Sequence, residues 1–181
     1  MISLRRPSPD VIDRYLREVS ATSPTHLPGD PADDMTVEHH AVACGSGEEV
    51  WDRGRAAVSS WVAQRGSGMS VTPSHAPVVG ATVVVATRQA GLWVLAPCRV
   101  VEVFDEPRRA GFTYATLPGH PERGIESFTV NRNDAGEVTF DIDVVFEPAT
   151  LLARLSGPIG HWLQRRGTRR YLDAVSAHCR A

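Results

Sequence analysis

Lysine is absent: all 19 basic side chains of this 181-residue chain are arginine. That excludes a lysine Schiff base and a phosphate-loop lysine. Every cationic contact must come from a guanidinium, which stays charged and cannot act as a base near neutral pH. The bias also fits a GC-rich coding sequence of bacterial type. Cysteine is scarce as well. Cys44, Cys98 and Cys179 are odd in number and widely spaced. They form neither a disulfide framework nor a zinc pair, and they read as small buried hydrophobes. No GxSxG, GxGxxG or HExxH motif is present, so the sequence points to no cofactor and no metal. No apolar run approaches the ~18 residues of a membrane span, and the opening MISLRRPSPD lacks the apolar core of a signal peptide. The expected location is the cytoplasm. A net charge of −2 argues against a nucleic-acid partner, since phosphate binding wants a basic face.

What is present is the composition of an ordinary globular body, 42% hydrophobic and 22% charged. The length predicts one domain over residues 1–181, with an N-terminal helix and loop at 1–35 and the main body at 36–181. Ser8-Pro9-Asp10 opens the first helix, with Ser8 as cap, Pro9 at the first position and Asp10 at the positive end of the dipole. Val11, Ile12, Tyr15, Leu16 and Val19 recur at helical spacing up to about Ser20. Residues 21–34 are rich in proline, glycine and aspartate and read as a loop.

Thr36–Cys44 reads as a strand. Ser46 and Glu49 then have the spacing of a capping box, which predicts a helix with Val50, Gly54, Ala57, Val58, Trp61 and Val62 on one face, ending at Arg65–Gly68. Five β-branched or aromatic runs follow, at Ala81–Thr87, Leu92–Phe104, Ala110–Thr116, Glu126–Arg132 and Val138–Phe146, separated by turn signals. Short connections predict an antiparallel meander. Pro148 to His178 is the longest helical tract, interrupted at Gly157-Pro158. Leu151, Leu152, Leu155, Ile159, Trp162, Leu163, Tyr171, Leu172 and Val175 form its apolar stripe, and Arg154, Arg165, Arg166, Arg169 and Arg170 its other face.

The predicted fold class is therefore α+β: a curved antiparallel sheet wrapped around a long C-terminal helix, with an additional N-terminal helix. This element order resembles the helix-grip architecture of the START, polyketide-cyclase and birch-pollen-allergen proteins. In such an architecture a cavity remains wherever the sheet and the helix do not fill the space between them.

The stretch Phe112–Phe128, FTYATLPGHPERGIESF, concentrates the chemistry. Phe112, Tyr114 and Thr116 alternate on one strand face. His120 to Gly124 read as a tight polar loop between prolines and glycines, which would hold its side chains with little entropy to lose. His120 and Glu122 suit an acid/base pair, Glu122 orienting or charging the imidazole. Arg123 suits a carboxylate or an enolate, and Tyr114 a carbonyl. The alternative is a hydrogen-bonded clasp of His120, Glu122, Arg123 and Glu126 that fastens the loop to the C-terminal helix. Trp51, Trp61, Trp93 and Trp162 lie mostly in apolar patterns and suit core packing; Trp61, Trp93 and Trp162 alternatively line the cavity. His39 and His40 point to opposite faces of a strand, so they cannot easily share an ion; Glu38 and His40 share a face, but a third ligand would have to come from elsewhere, such as His120.

FTYATLPGHPERG closely resembles the hallmark of the family catalogued as domain of unknown function 1990. RYLREV, GSGEEVWDRGRAAVSSW, PCRVVEVFDE and EPATLLARLSGPIGHWLQRRGTRRYL extend the resemblance along most of the chain. The family commonly carries two adjacent acidic residues after ERG, whereas here Ile125 stands first and Glu126 alone remains. The resemblance implies a helix-grip fold and no established reaction.

The expected function is binding of a small, largely apolar organic molecule between sheet and helix. As an enzyme it would be a cofactor-independent cyclase, dehydratase or isomerase acting on a polyketide-like or other carbonyl compound. His120, Glu122 and Tyr114 are the candidate catalytic residues. Thr116, Arg123, Glu126, Trp93 and Trp162 are the candidate ligand-binding residues. The alternative is a non-catalytic structural or partner-binding module that works through the arginine face of the last helix.

Overall fold

The structure, a computed structural model, describes residues 1–149 except 90 and residues 157–181; for residues 157–166 only the backbone is described. In chain order the elements are β1 (Ile2–Ser3), α1 (Pro9–Ser20), β2 (Thr36–Ser46), α2 (Glu48–Ser59), α3 (Val62–Gly66), β3 (Ser70–Thr72), β4 (Thr82–Gln89), β5 (Leu92–Asp105), β6 (Arg109–Thr116), β7 (Glu122–Arg132), β8 (Glu137–Pro148) and the last helix (Gly157–Arg180). All strands join one curved antiparallel sheet in the order β2-β8-β7-β6-β5-β4-β3, with β1 paired to β5. None of the described helices is long and apolar enough to cross a membrane.

Alternation along the strands divides the sheet into two faces. The inner face carries Val83, Val85, Ala96, Cys98, Tyr114, Phe112, Phe128, Val130, Phe140, Ile142 and Val144. These pack with Trp51, Ala57 and Val58 of α2 and with Tyr171, Val175 and Cys179 of the last helix. On the outer face, Val84, Ala86 and Leu95 receive Ile12, Tyr15 and Leu16 of α1. The predicted stripe of α1 is thus the stripe that is buried.

Several local expectations are corrected. Ser46 does not cap a helix. It is held in β2 opposite Glu137, and Gly47, at φ 96°, takes the cap position without a side-chain bond. Ser8 caps α1 through its carbonyl, which accepts from Val11 and Ile12, and not through its hydroxyl. The helix predicted through Arg65–Gly68 breaks at Trp61, which adopts a left-handed backbone with φ 59°. Its indole is fully buried, lies 4.5 Å from the Phe112 ring and donates to the His75 carbonyl at 2.8 Å. A left-handed non-glycine residue costs about 1–2 kcal/mol. Burying about 150–250 Å² of tryptophan at about 25 cal/mol per Å² returns about 4–6 kcal/mol, so tertiary packing wins over helix continuity.

Pro148 does not open the last helix; it closes β8 opposite Glu122. Leu151, Leu152, Arg154 and Leu155 lie outside the described residues, and the described backbone of the last helix begins at Gly157. Two glycines let the central strands close up. A Cβ on Gly124 (φ 154°) would lie 1.9 Å from the Val145 carbonyl oxygen, and one on Gly111 (φ 146°) 2.0 Å from that of Phe128. Both distances are far inside contact range, and both backbones suit glycine.

Candidate functional site

The signature loop is shorter than its sequence suggests. Only Leu117 to Pro121 turn, with the His120 amide donating to the Leu117 carbonyl at 3.0 Å; Glu122 already begins β7. Side chains at alternate positions of β7 then share a face, so Glu122, Gly124, Glu126 and Phe128 all look toward the helices. The antiparallel register aligns Glu38, Val144, Glu126, Tyr114 and Val100 in one row across five strands. The neighbouring row is His40, Ile142, Phe128 and Phe112. A polar band thus crosses an otherwise apolar and aromatic inner face.

At its centre the Tyr114 hydroxyl donates to Glu126 Oε2 at 2.6 Å. Burial pushes the Glu126 carboxyl up to about 7. The tyrosine bond opposes that shift, and the charge of Glu122 adds to it. Burial also raises Glu122 to about 7, with Glu38 contributing. Both glutamates are nevertheless half-buried and not sealed. Tyr114 and Tyr171 are pushed well above the ordinary phenol range, first by burial and then by Glu126. Tyr171 descends from the last helix, packs edge-on at 5.5 Å against Phe128 and bonds the Met69 sulfur at 3.2 Å. At the β2 rim, Glu38 and His40 Nε2 are 2.9 Å apart. Cys98 is held protonated by burial and by the two glutamates, which suits a packing thiol better than a nucleophile.

The structure brings together only some of the residues expected to act. Tyr114, Glu122 and Glu126 share the inner face. His120 Nδ1 lies 3.0 Å from the Glu122 amide nitrogen and 2.9 Å from its carbonyl oxygen, so its tautomer sets whether it accepts from the one or donates to the other, and it does not bond the Glu122 carboxylate. Burial lowers its pKa to about 4, so it is neutral at pH 7 and is not charged by Glu122. Arg123 leaves on the outer face, donating to the Thr25 carbonyl at 2.9 Å and pairing with Glu147 at 3.0 Å. The clasp it forms holds the 21–34 loop, not the C-terminal helix. Thr116 Oγ1 accepts from the Gly124 amide at 3.0 Å and meets Thr25 Oγ1 at 2.6 Å, which ties the same loop. Trp93 is adjacent in β5 to the inward Val94 and faces outward with Leu95, its ring under the Arg6 guanidinium at 5.4 Å. The Trp162 side chain lies outside the described residues. Arg169 and Arg170 are exposed, while Arg154 and the side chains of Arg165 and Arg166 lie outside the described residues.

Sequence reasoning underused Glu38, His40 and Tyr171. The signal for the first two was legible, because even-numbered positions of TVEHHAVAC include Val42 and Cys44 and so face inward. Tyr171 was visible only as one member of an apolar stripe. His39 bonds Asp143 on the outer face at 2.7 Å. Among the described residues no group of three or more His, Cys, Asp and Glu is arranged to hold a metal.

The sequence profile of the family described as Domain of unknown function (DUF1990) matches residues 15–174. The chain belongs to this family. It is 34% identical to a UPF0548 protein of Deinococcus radiodurans over 94% of this chain and 95% of the relative. It is 29% identical to a UPF0548 protein of Arabidopsis thaliana, over 93% of this chain and 87% of the relative. Among solved structures, a hypothetical protein from Helicobacter pylori superposes with a TM-score of 0.54 at 13% identity, covering 84% of this chain and 91% of the other. Ara h 8.0201 gives 0.52 at 9% identity, covering 80% and 97%. At these identities the likeness shows the fold alone, and that fold is the helix-grip. Ile125 lies on the outer face, opposite Ala115 and Val145, away from the inner row.

Proposed function

We propose that this protein binds a small, largely apolar organic molecule between the inner sheet face and the last helix, and that Tyr114 and Glu126 bind or protonate an oxygen of it. The observation that carries the reading is the part-buried 2.6 Å bond from Tyr114 to a carboxyl whose pKa burial has moved to about 7. Near neutral pH such a carboxyl is populated in both forms. Its acid form can protonate a carbonyl or leaving oxygen, and its carboxylate can remove a proton beside a carbonyl. Tyr114, which stays protonated, supplies a fixed donor. Glu122, with its similarly raised pKa, is a second proton carrier along the same strand. The buried aromatic cluster of Phe112, Phe128 and Tyr171 is compatible with an apolar body beside it. The reaction class that fits is cofactor-independent proton transfer: isomerisation, dehydration or cyclisation of a carbonyl compound.

Within this reading His120, Arg123 and Thr116 are positioning residues that fix the β6–β7 connection and the 21–34 loop. Native mass spectrometry of protein purified from its own host tests the proposal. A co-purified small molecule that is lost from Glu126→Gln and Tyr114→Phe but kept by Arg123→Ala supports it. Loss in Arg123→Ala with retention in both inner-face variants sinks it.

A further inference from the structure

Two of the three cysteines meet across the fold. β2 shifts register between Ala43 and Gly45, and this bulge leaves Cys44 turned inward, 1% exposed. Cys179, 0% exposed, lies in the last turn of the last helix. One turn earlier, Ser176 Oγ donates to the Ala43 carbonyl at 3.3 Å, which fastens helix to strand beside the thiols. The two thiols belong to one buried cluster, and each is the first influence on the other's titration, raising Cys44 and lowering Cys179. Arg53 donates from Nε to the Cys179 carbonyl at 2.8 Å. The Cys44 thiol first, and then the charges of Arg53 and Arg180, favour a thiolate on Cys179 against the effect of burial, while the neighbouring sulfur and burial keep Cys44 protonated. One sulfur is thus prepared to attack and the other to follow, the division of labour a dithiol needs.

We propose that Cys44 and Cys179 are a redox pair that forms a reversible disulfide on reaction with a hydroperoxide, clamping the end of the last helix to β2. The Cys179 thiolate attacks one oxygen of the peroxide. An S–O bond forms, the O–O bond breaks, and the departing oxygen takes a proton from water. The Cys44 sulfur then attacks the sulfenic sulfur of Cys179. The S–S bond forms, the S–O bond breaks, and the hydroxyl leaves as water with the Cys44 proton. Two thiols and one hydrogen peroxide give one disulfide and two waters. Both sulfurs are covered in the closed fold, and opening of the helix's last turn is the local motion that admits the oxidant. The clamp joins the strand that carries Glu38 and His40 to the helix that carries Tyr171, so it restrains these two elements against each other. It stands whether or not a ligand binds between them.

The test is to treat the fully reduced chain with excess hydrogen peroxide, then alkylate it unfolded and map its peptides without reductant. The expected result is a crosslinked Cys44–Cys179 peptide, one alkylatable thiol at Cys98, and reversal by dithiothreitol. Amide exchange in the last helix should slow at least tenfold in the bridged form. Cys179→Ser and Cys44→Ser should abolish the crosslink. If Cys44→Ser does not fold, Cys44→Ala and the wild-type map decide the matter. Three alkylatable thiols after treatment, a bridge to Cys98 or between chains, or over-oxidation without a crosslink would each overturn the pair. A bridge that leaves exchange unchanged would overturn the clamp.

Discussion

Replacing Glu126 by glutamine removes a charge while keeping the shape and an acceptor for Tyr114. The wild-type carboxyl titrates at about 7 in the fold, against 4.5 as its ordinary value. A group whose pKa is raised on folding favours the folded state fully below its unfolded pKa and loses that advantage as pH rises through the folded one. The loss therefore runs from about pH 4.5 to pH 7. The difference of about 2.5, at about 1.4 kcal/mol for each pH unit, sets a ceiling of about 3.5 kcal/mol. Because Glu126 keeps some free surface, about 2–3 kcal/mol is the expected size. Glu126→Gln should then match wild type near pH 4.5 and exceed it by that amount at pH 8. For a chain of this length the gain corresponds to a rise in Tm of roughly 4–12 °C. Urea denaturation at the two pH values measures it directly. A difference between variant and wild type that does not change with pH would refute the reasoning, because it would mean that Glu126 titrates as an exposed carboxylate.

Tyr114→Phe removes the bond that opposes the raised Glu126 pKa, so the carboxyl midpoint should move further up, as carbon-13 NMR would detect; a downward move would contradict the assignment. Gly124→Ala places a Cβ against the Val145 carbonyl oxygen and should cost more than about 2 kcal/mol by chemical denaturation. Trp61→Ala should cost about 3–5 kcal/mol, because it removes the buried ring while its Cβ leaves the left-handed backbone strain in place. Arg123→Ala should cost less than about 1 kcal/mol, since its ion pair with Glu147 is largely exposed.

The sequence carried the fold further than the site. The period of two in Val138 to Val144 and the 3.6 period of α1 report burial directly, and both elements appear where that pattern places them. The short strands β1 and β3 carry too few residues for any period. The break at Trp61 follows from a partner ring distant in sequence, which no local pattern records. His120 through Gly124 has a composition rich in glycine and proline that reads as loop. Pairing with β8 nevertheless draws Glu122 into a strand and turns it inward beside Glu126. That pairing decides which polar residues of the hallmark face the interior. Glu122 and Glu126 do, while Arg123 and Ile125 do not. Cys44 and Cys179 meet only because the last helix returns to the first long strand.

The most direct test of the account is carbon-13 NMR titration of the glutamate carboxyls, with Glu126 assigned by its glutamine variant, before and after saturation with an apolar dye such as Nile red. The account predicts a midpoint near 7 for Glu126 that shifts when the dye occupies the inner space. A midpoint in the ordinary carboxylate range, unchanged by the dye, would contradict it.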